Sequence, residues 1–402
     1  MIGGPAAADD PGVAAGAGGR TGVPFPRPTA SPPTDGSRTV RAAILHKIGQ
    51  DKLEVRCDVE TAALGPGKVR VRLRAGSLCR SDLSAMSGVL PQPAPFVPGH
   101  EGAGEVLETG EGVTGVAVGD HVVLCWMPPC GHCAHCRHGR GHLCIGSLAR
   151  LRTPGYRYGS GADLTDLYGF YSVGTFAEET VVAADSVIKV PSDMPFDVAA
   201  LVGCGVTTGI GAAINTARVE PGSSVAVVGC GGVGIAAVQG ARVCGAAHIV
   251  AVDPVASRRE RALAFGATEA VPPEDLKAVG KRLTESGGFD YVFEVVGRSA
   301  TTRAAYDAAR RGGAVVVVGA GAQDDRVSFS MGELFFNEKR ILPSMYGGGD
   351  VRRTVDRVLD LWRAGRIDLE HMITHRVRLE DVNDALAQMR SGEALRTVIT
   401  LD

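Results

Sequence analysis

Several features that mark other classes of protein are missing from this sequence of 402 residues. No uninterrupted apolar run reaches the roughly 18 to 20 residues that a membrane helix needs, so we expect no membrane-spanning segment. The net charge of −2 gives the chain as a whole no attraction for nucleic acid or an anionic membrane, so neither is an expected partner. With 45% hydrophobic residues, the chain is typical of a globular protein of two or three domains.

The first 38 residues also lack the apolar stretch of a signal peptide. They consist largely of Gly, Ala, Pro and polar residues, which predicts a disordered leader over 1–38. Ten cysteines in a long chain without a secretory start favour a reducing, cytoplasmic location. In that compartment clustered cysteines more often bind metal than form disulfides.

Short strand-like runs separated by Gly and Pro follow the leader, and they predict a β-rich domain over residues 39–205. The clearest runs begin near Arg41 and cover 69–73, 104–107 and 121–125. Residues 150–173 have no clear period, and we expect them to form an excursion on the surface.

The pattern changes over residues 206–345, where strands and helices alternate. Strands are predicted at 223–229, 247–253, 290–297 and 314–320, and helices at 232–246, 257–267 and 299–313. Such alternation predicts βαβ units and a doubly wound parallel sheet. Residues 346–402 contain a predicted helix at 351–364 and a final strand, which we expect to pack back on the first domain.

A dinucleotide fingerprint, G-x-G-x-x-G, stands directly after the first strand of the predicted parallel sheet. Gly229 would allow the tight turn, Gly231 the approach of a pyrophosphate, and Gly234 close packing of helix on strand. The helix that begins at Gly232 and Val233 would direct its free N–H groups at the phosphates. The motif alone is weak, but its position in a βαβ unit supports dinucleotide binding.

The cofactor is predicted to be NAD, because Asp253 ends the second strand nineteen residues after the fingerprint. An acidic side chain there accepts hydrogen bonds from the adenosine ribose hydroxyls and repels a 2′-phosphate. Arg258 and Arg259 follow closely and leave NADP open, although both are also compatible with a solvated helix start.

Four clustered cysteines form the pattern C-x2-C-x2-C-x7-C: Cys130, Cys133, Cys136 and Cys144. Four thiolates close a tetrahedral zinc site with no open position, which predicts a structural zinc. Arg137, His138, Arg140 and His142 surround them, so a zinc knuckle that binds nucleic acid is the competing interpretation. The near-neutral charge of the chain does not favour it.

Three further candidate ligands are dispersed: Cys79 in LCRSD, His100 in PGHEGAG and Cys204 in LVGCG. Two thiolates and one imidazole match a catalytic zinc that keeps its fourth position for water or substrate. Taken singly, each residue is as readily a buried structural side chain. Their spacing alone does not join them.

From about residue 40 to its end, the chain resembles the zinc-containing, medium-chain alcohol dehydrogenases, and its general texture also resembles their actinobacterial branch. The likeness lies in five motifs that occur in the order of that family: Cys79-Arg80-Ser81-Asp82, GHExxGxV from Gly99, the four-cysteine lobe, the fingerprint with Asp253, and Leu395-Arg396-Thr397. The resemblance implies a GroES-like catalytic domain plus a Rossmann domain, NAD as cofactor and two zinc ions per chain. It also implies a small-molecule alcohol or carbonyl substrate and a homodimer or homotetramer.

The resemblance assigns roles to individual residues. Cys79, His100 and Cys204 would bind the catalytic zinc, and Ser81 would accept the proton of the alcohol, although it is also compatible with a turn serine. Asp82 would orient His100, and Glu101 would lie close to the metal. The residues expected to contact the cofactor, besides the fingerprint and Asp253, are Arg80, Arg258, Val296 and Arg396.

The chain departs from the family at two places that bear on mechanism and substrate. Ser84 stands where many members carry a histidine that passes the proton to solvent. Leu148 replaces an arginine that glutathione-dependent formaldehyde dehydrogenases use, which disfavours that substrate. Trp126 is expected either to narrow the pocket or to pack in the core. The hypothesis is reversible, NAD-linked alcohol oxidation; the alternatives are a thiol-adduct formaldehyde dehydrogenase, a nicotinoprotein with tightly bound NAD and a non-catalytic dinucleotide-binding relative.

Overall fold

The computed structural model describes residues 36–151, 153–285, 287–392 and 394–401, so the predicted leader lies almost wholly outside the described residues. The strands are β1 (Thr39–Ile44), β2 (Glu54–Thr61), β3 (Lys68–Ser77), β4 (Phe96–Val97), β5 (Glu101–Thr109), β6 (His121–Leu124), β7 (Pro154–Tyr158), β8 (Thr165–Gly169), β9 (Glu179–Ala183), β10 (Val187–Lys189), β11 (Ser224–Val228), β12 (His248–Val252), β13 (Glu269–Val271), β14 (Phe289–Glu294), β15 (Ala309–Val317), β16 (Arg340–Pro343), β17 (Ile373–Arg378) and β18 (Arg396–Thr400).

The α-helices are α1 (Arg80–Met86), α2 (Ala134–Arg137), α3 (Ile145–Arg150), α4 (Phe196–Val202), α5 (Gly205–Gly211), α6 (Gly232–Val243), α7 (Ala256–Ala264), α8 (Leu276–Leu283), α9 (Ser299–Ala308), α10 (Met331–Asn337), α11 (Val351–Arg363) and α12 (Val382–Ser391). Helix α5 continues as a π-helical stretch, Ala212–Ala217.

Two largely antiparallel sheets form the β-rich part of the molecule, as the sequence predicts. One has the strand order β1-β2-β7-β8-β4, and the other the order β10-β6-β5-β3-β18-β17, with β9 also paired to β3. From Val71 to Arg74, strand β3 alternates buried apolar and exposed charged residues, which suits a sheet with one face on the core. This strand leads directly into the first candidate zinc ligand.

The expectation that residues 150–173 form an excursion on the surface is wrong for the two strands of this segment, although the turn at 159–163 is exposed. They contribute β7 and β8, which pair antiparallel with each other and extend the first sheet. Tyr156, Leu167, Phe170 and Val173 are buried in the core. The segment has no visible period because its two strands are short and are joined by an irregular turn, so neither shows a full alternation.

The second part is a six-stranded sheet with every pairing parallel, in the order β13-β12-β11-β14-β15-β16. Its central strand β11 is buried along its whole length, as its continuous apolar sequence predicts. The strand order reverses between β11 and β14, and in such sheets ligands bind at the carboxyl ends of the strands beside this switch. The predicted doubly wound architecture is confirmed.

One predicted boundary in this sheet is wrong. The helix expected over 299–313 ends at Ala308, and the next residues already belong to β15. Ala309 is already extended, with φ −69° and ψ 143°, so the helix ends before the Gly pair in RRGG is reached.

The tail contributes a strand to one sheet of the first part of the molecule. Strand β18 pairs antiparallel with β3, with Val398 opposite Ser77 and Thr400 opposite Ala75. The tail therefore completes the sheet from which Cys79 emerges. Among the described residues, no single helix is long and apolar enough to cross a membrane, although the bent pair Phe196–Val202 and Gly205–Ala217 meets the criteria of length and composition together.

Substitution of Leu167 by Ala tests whether the 150–173 segment is part of the core. Leu167 is fully buried, so we expect the free energy of unfolding of the Leu167→Ala protein to fall by about 2–5 kcal/mol. Leu148→Ala is the matched control, because that side chain is 54% exposed and should change stability by less than about 0.5 kcal/mol. Urea unfolding followed by circular dichroism measures both, and equal effects of the two variants would contradict the placement.

Candidate active site

Cys79 lies where β3 ends and α1 begins, at the N-cap of that helix. Its backbone N–H donates to Oδ2 of Asp82, 2.9 Å away, while Oδ1 accepts from the N–H of Gly99 at 3.1 Å. Asp82 is fully buried, and these bonds join the start of α1 to the turn that precedes β5. The carboxylate thus holds two chain segments that are distant in sequence.

His100 follows Gly99 and faces the same carboxylate. Its Nδ1 lies 3.1 Å from Oδ1 of Asp82, and its Nε2 is buried without a hydrogen-bond partner among the described residues. A buried polar nitrogen without a partner is costly, so Nε2 is suited to an electron-pair acceptor such as a metal. Gly99 has a φ of 87°, and a Cβ there would lie 2.4 Å from Thr175, so glycine is required for this turn.

Cys204 occupies the junction between α4 and α5, with φ −148° and ψ −70°. Its Sγ lies 3.9 Å from Oγ1 of Thr208. A hydrogen bond shared with Cys79 raises the pKa of the Cys204 thiol and lowers the pKa of the Cys79 thiol. The two sulfur atoms are therefore close enough to share one cation.

The structure brings together four dispersed residues whose ligand atoms all lie within 4.8 Å of one another: Cys79, His100, Glu101 and Cys204. Burial opposes the imidazolium form of His100, but the charges of Asp82 and Cys79 outweigh it and raise the pKa of His100 to about 10. The acidic neighbours therefore favour positive charge at this place, and two thiolates with one imidazole are donors that suit Zn²⁺. The residues fit a zinc ion with an open position.

Glu101 joins this site to the cofactor fingerprint through Arg396. Its Oε1 accepts from the N–H of Gly205 at 3.1 Å, and its Oε2 forms an ion pair with the guanidinium of Arg396. Arg396 is buried, which lowers its pKa, and it also donates to Oγ of Ser77 at 2.7 Å. A Cβ on Gly232 would lie 2.4 Å from Arg396, so this side chain packs directly on the start of α6.

The fingerprint glycines have the environments that dinucleotide binding requires. Gly229 has a φ of 99°, and a Cβ on Gly234 would lie 1.8 Å from the carbonyl oxygen of Gly229. In contrast, no atom lies within 4 Å of a Cβ placed on Gly231. The turn is thus tight on its protein side and open where a pyrophosphate would approach the N-terminus of α6.

Asp253 lies at the end of β12 beside this turn. Its two carboxylate oxygens accept from the N–H groups of Cys230 and Val255, each at 2.9 Å. The guanidinium of Arg258 donates to the carbonyl of Gly392 and lies 3.7 Å from Asp253, while Arg259 donates to the carbonyl of Asp253 at 2.7 Å. Both arginines are therefore engaged by protein groups.

The four-cysteine cluster is also assembled, with sulfur atoms within 4.8 Å of one another. A tetrahedral zinc–sulfur site has sulfur atoms about 3.8 Å apart, and Sγ of Cys130 and Cys136 are separated by 4.0 Å. Burial opposes the thiolate of Cys144, but N–H groups of Cys130 and Ser147 outweigh it and lower its pKa to about 6. These residues fit a closed, structural zinc site.

Aromatic residues surround His100, and of these only Trp126 was expected from the sequence. Phe170 packs edge-on against the imidazole at 5.1 Å, and Tyr171 at 5.8 Å. Trp126 is sandwiched between Tyr171 and Tyr346, at centroid distances of 4.6 and 4.3 Å. The dense aromatic run YGFYS at 168–172 is the signal that identifies part of this wall. Trp126 therefore packs in the core and also lies beside His100 at the candidate metal site.

The remaining predicted residues lie around this centre. Ser81 is in the first turn of α1, half-buried, and its hydroxyl has no hydrogen-bond partner in the described part of the chain. Arg80 is exposed and, with Ser84, lines a cavity of about 380 Å³ on the outer side of α1. Val296 is 44% exposed and covers the fingerprint turn, because a Cβ on Gly229 would lie 2.9 Å from it.

Comparison with known proteins agrees with both parts of the molecule. Residues 65–192 match the family model described as "Alcohol dehydrogenase GroES-like domain", and residues 232–362 match the model described as "Zinc-binding dehydrogenase". Alcohol dehydrogenase B of Mycobacterium tuberculosis is 38% identical over 340 residues, 83% of this chain and 91% of the relative.

Two further proteins are similar to the chain over most of its length. An S-(hydroxymethyl)glutathione dehydrogenase of Escherichia coli is 37% identical over 372 residues, 89% of this chain and 99% of the relative. The crystal structure of benzyl alcohol dehydrogenase from Acinetobacter calcoaceticus superposes with a TM-score of 0.83 at 29% identity, and covers 91% of this chain and all of that one.

Replacement of Cys204 by Ser tests the dispersed metal site. We expect the purified protein to hold two zinc ions per chain and the variant to hold one, because the four-cysteine cluster is untouched. Cys244→Ser is the control. The Cys244 thiol belongs to neither cluster, so this variant should keep two zinc ions per chain. Elemental analysis by plasma mass spectrometry measures the content, and two zinc ions in the Cys204 variant would contradict the assignment.

Proposed function

Because the chain belongs to the zinc-containing, medium-chain alcohol dehydrogenase family, we propose that it oxidises apolar primary or secondary alcohols with NAD, and reduces the matching carbonyl compounds. The observation that carries the proposal is the convergence of Cys79, Cys204 and the unpartnered Nε2 of His100, joined through Glu101 and Arg396 to the cofactor fingerprint. One connected group of side chains therefore extends from the candidate metal site to the candidate cofactor site.

The proposed division of labour follows from these contacts. Cys79, His100 and Cys204 would hold a zinc ion, which would lower the pKa of a substrate hydroxyl, and NAD bound at the fingerprint would supply the hydride acceptor. Asp82 holds Nδ1 of His100 and so presents Nε2 to the metal site. Ser81 would relay the hydroxyl proton, because its Oγ takes up that proton as its own hydroxyl proton passes to water; Oγ has no other partner among the described residues.

Apolar walls support an apolar substrate. Phe170, Tyr171 and Trp126 surround His100, and they exclude water without offering a charge. An S-hydroxymethyl thiol adduct of glutathione or mycothiol is the alternative, and the similarity to the S-(hydroxymethyl)glutathione dehydrogenase favours it. Leu148, where an arginine would hold a carboxylate of that substrate, supports the apolar alcohol instead. We place the reaction in the reducing cytoplasm, where the thiolate ligands remain reduced.

A steady-state assay tests the function and the role of Ser81. We expect NADH formation from benzyl alcohol and aliphatic alcohols, with no requirement for added glutathione or mycothiol. Ser81→Ala should lower kcat/KM by about 10²- to 10⁴-fold, because it removes the proton acceptor.

Ser87→Ala at the exposed end of the same helix is the control and should keep the parental rate. A zinc-loaded protein without turnover over a panel of alcohols and aldehydes, including assays with an artificial hydride acceptor for a tightly held NAD, would overturn the proposal. Strict dependence on glutathione or mycothiol would establish the alternative substrate.

The preference for NAD over NADP rests on Asp253. We expect Asp253→Asn to weaken NAD binding about tenfold, since a charge-assisted hydrogen bond to the ribose is lost. The kcat/KM for NADP should rise, because the repulsion of the 2′-phosphate falls. Asp290→Asn is the control: this carboxylate also accepts a backbone N–H bond, from Ser224, but at the opposite end of the sheet. An unchanged NAD to NADP ratio in the Asp253 variant would contradict this role.

We further propose that the protein is a homodimer joined at β16 and α10. Strand β16 is an edge of its sheet, and three large apolar side chains on the adjacent helix are strongly exposed: Met331 at 79%, Phe335 at 75% and Phe336 at 68%. Such a patch beside an unpaired strand edge suits a second copy of the same chain, which continues the sheet across a two-fold axis.

Replacement of Phe335 by Glu tests this interface. We expect a dimeric mass for the parent protein and a monomeric mass for the variant, measured by light scattering coupled to size exclusion. Leu148→Glu places the same charge at another exposed leucine and should leave the dimer intact. A dimer that survives Phe335→Glu, or a monomeric parent, would contradict the proposed interface.

A further inference from the structure

Tyr346 reaches the metal site from the loop that follows the parallel sheet. It is 2% exposed, and its backbone adopts a left-handed conformation with φ 53° and ψ 31°. Its hydroxyl donates to the carbonyl oxygen of Gly203, and its ring stacks on Trp126 at 4.3 Å with an interplanar angle of 23°. One side chain thus contacts two elements of the catalytic centre.

The bonded carbonyl belongs to the peptide that joins Gly203 to Cys204. Because a peptide unit is planar, holding its oxygen also fixes the direction of the Cys204 nitrogen. Cys204 then turns the chain from α4 into α5 with φ −148° and ψ −70°, outside the helical region. The orientation of the Cys204 thiol therefore depends on this peptide.

The second contact of Tyr346 is with Trp126, which lies between Tyr346 and His100. Its ring is held on one face by Tyr346 and on the other by Tyr171, and it faces the imidazole at 6.4 Å in an edge-on arrangement of 86°. The Tyr346 ring supports the packing against His100, while its hydroxyl supports the chain at Cys204.

The loop that presents Tyr346 is itself held by several bonds. Asn215 donates from Nδ2 to the carbonyl of Gly347 at 3.2 Å, and Oγ1 of Thr216 lies 2.9 Å from Oγ of Ser344. The carbonyl of Gly349 accepts from both the N–H and Nδ1 of His142 in the four-cysteine lobe. A left-handed conformation strains the backbone of a tyrosine and persists only where surrounding contacts hold it, as these bonds do here.

We propose that Tyr346 is a positioning residue for the catalytic zinc, which fixes the peptide before Cys204 through its hydroxyl and supports the Trp126 wall through its ring. This inference rests on the proposed function, since it concerns the zinc bound by Cys79, His100 and Cys204. It assigns a role to a residue outside both the metal ligands and the cofactor fingerprint.

Zinc release to a chelator from the fully loaded protein tests the proposal. Tyr346→Phe removes the hydroxyl and keeps the ring, so we expect one of the two zinc ions to leave about tenfold faster, in the range found for groups that orient metal ligands. Each zinc ion is released in its own kinetic phase, and the phase that is missing from the Cys204→Ser variant is the release of the catalytic zinc. Tyr306→Phe is the matched control, because its buried hydroxyl also bonds a backbone carbonyl, that of Glu333, within the parallel-sheet part.

Selective acceleration of the catalytic zinc in Tyr346→Phe, with the structural zinc and the Tyr306 variant unchanged, supports the proposal. Release at the parental rate overturns it. Equal acceleration of both zinc ions also overturns it, since that result indicates general loosening of the fold. If Cys204→Ser retains two zinc ions, the proposed metal site itself fails, independently of Tyr346.

Discussion

The hydrogen bonds of the buried Asp82 carboxylate are the interaction on which the active centre depends. They tie the N–H of Cys79, the N–H of Gly99 and Nδ1 of His100 to one side chain. Two metal ligands that are 21 positions apart in the sequence are thereby fixed relative to each other, and Nε2 is the imidazole nitrogen left without a hydrogen-bond partner among the described residues. The third ligand, Cys204, enters from a different segment and requires its own support, from Tyr346 and Thr208.

A second constraint brings the metal site and the cofactor site together. Helix α5, which begins directly after Cys204, packs on α6, and a Cβ on Gly209 would lie 2.4 Å from the carbonyl of Val233. Only a residue without a side chain permits this approach. The start of α6 is therefore held close to the segment that carries Cys204, and the buried Arg396 bridges Gly232 and Glu101 across the same junction.

Much of this arrangement could be predicted from the sequence, because local patterns carry it. The parallel sheet follows from continuous apolar strands alternating with helices, and the four-cysteine lobe from ligands within fifteen residues. The dispersed ligands were joined only by resemblance to a family, since no spacing rule connects Cys79, His100 and Cys204. Phe170, Tyr171 and Tyr346 escaped prediction because they lie on irregular segments, where tertiary contacts rather than periodicity decide the conformation.

A crystal structure with anomalous data collected at the zinc edge tests the central claim most directly. We predict two anomalous peaks per chain, one within the four-cysteine lobe and one bonded to Cys79 Sγ, Cys204 Sγ and Nε2 of His100, with Asp82 on Nδ1. A fully loaded protein without density between these three residues, or with His100 bonded through Nδ1, would contradict it.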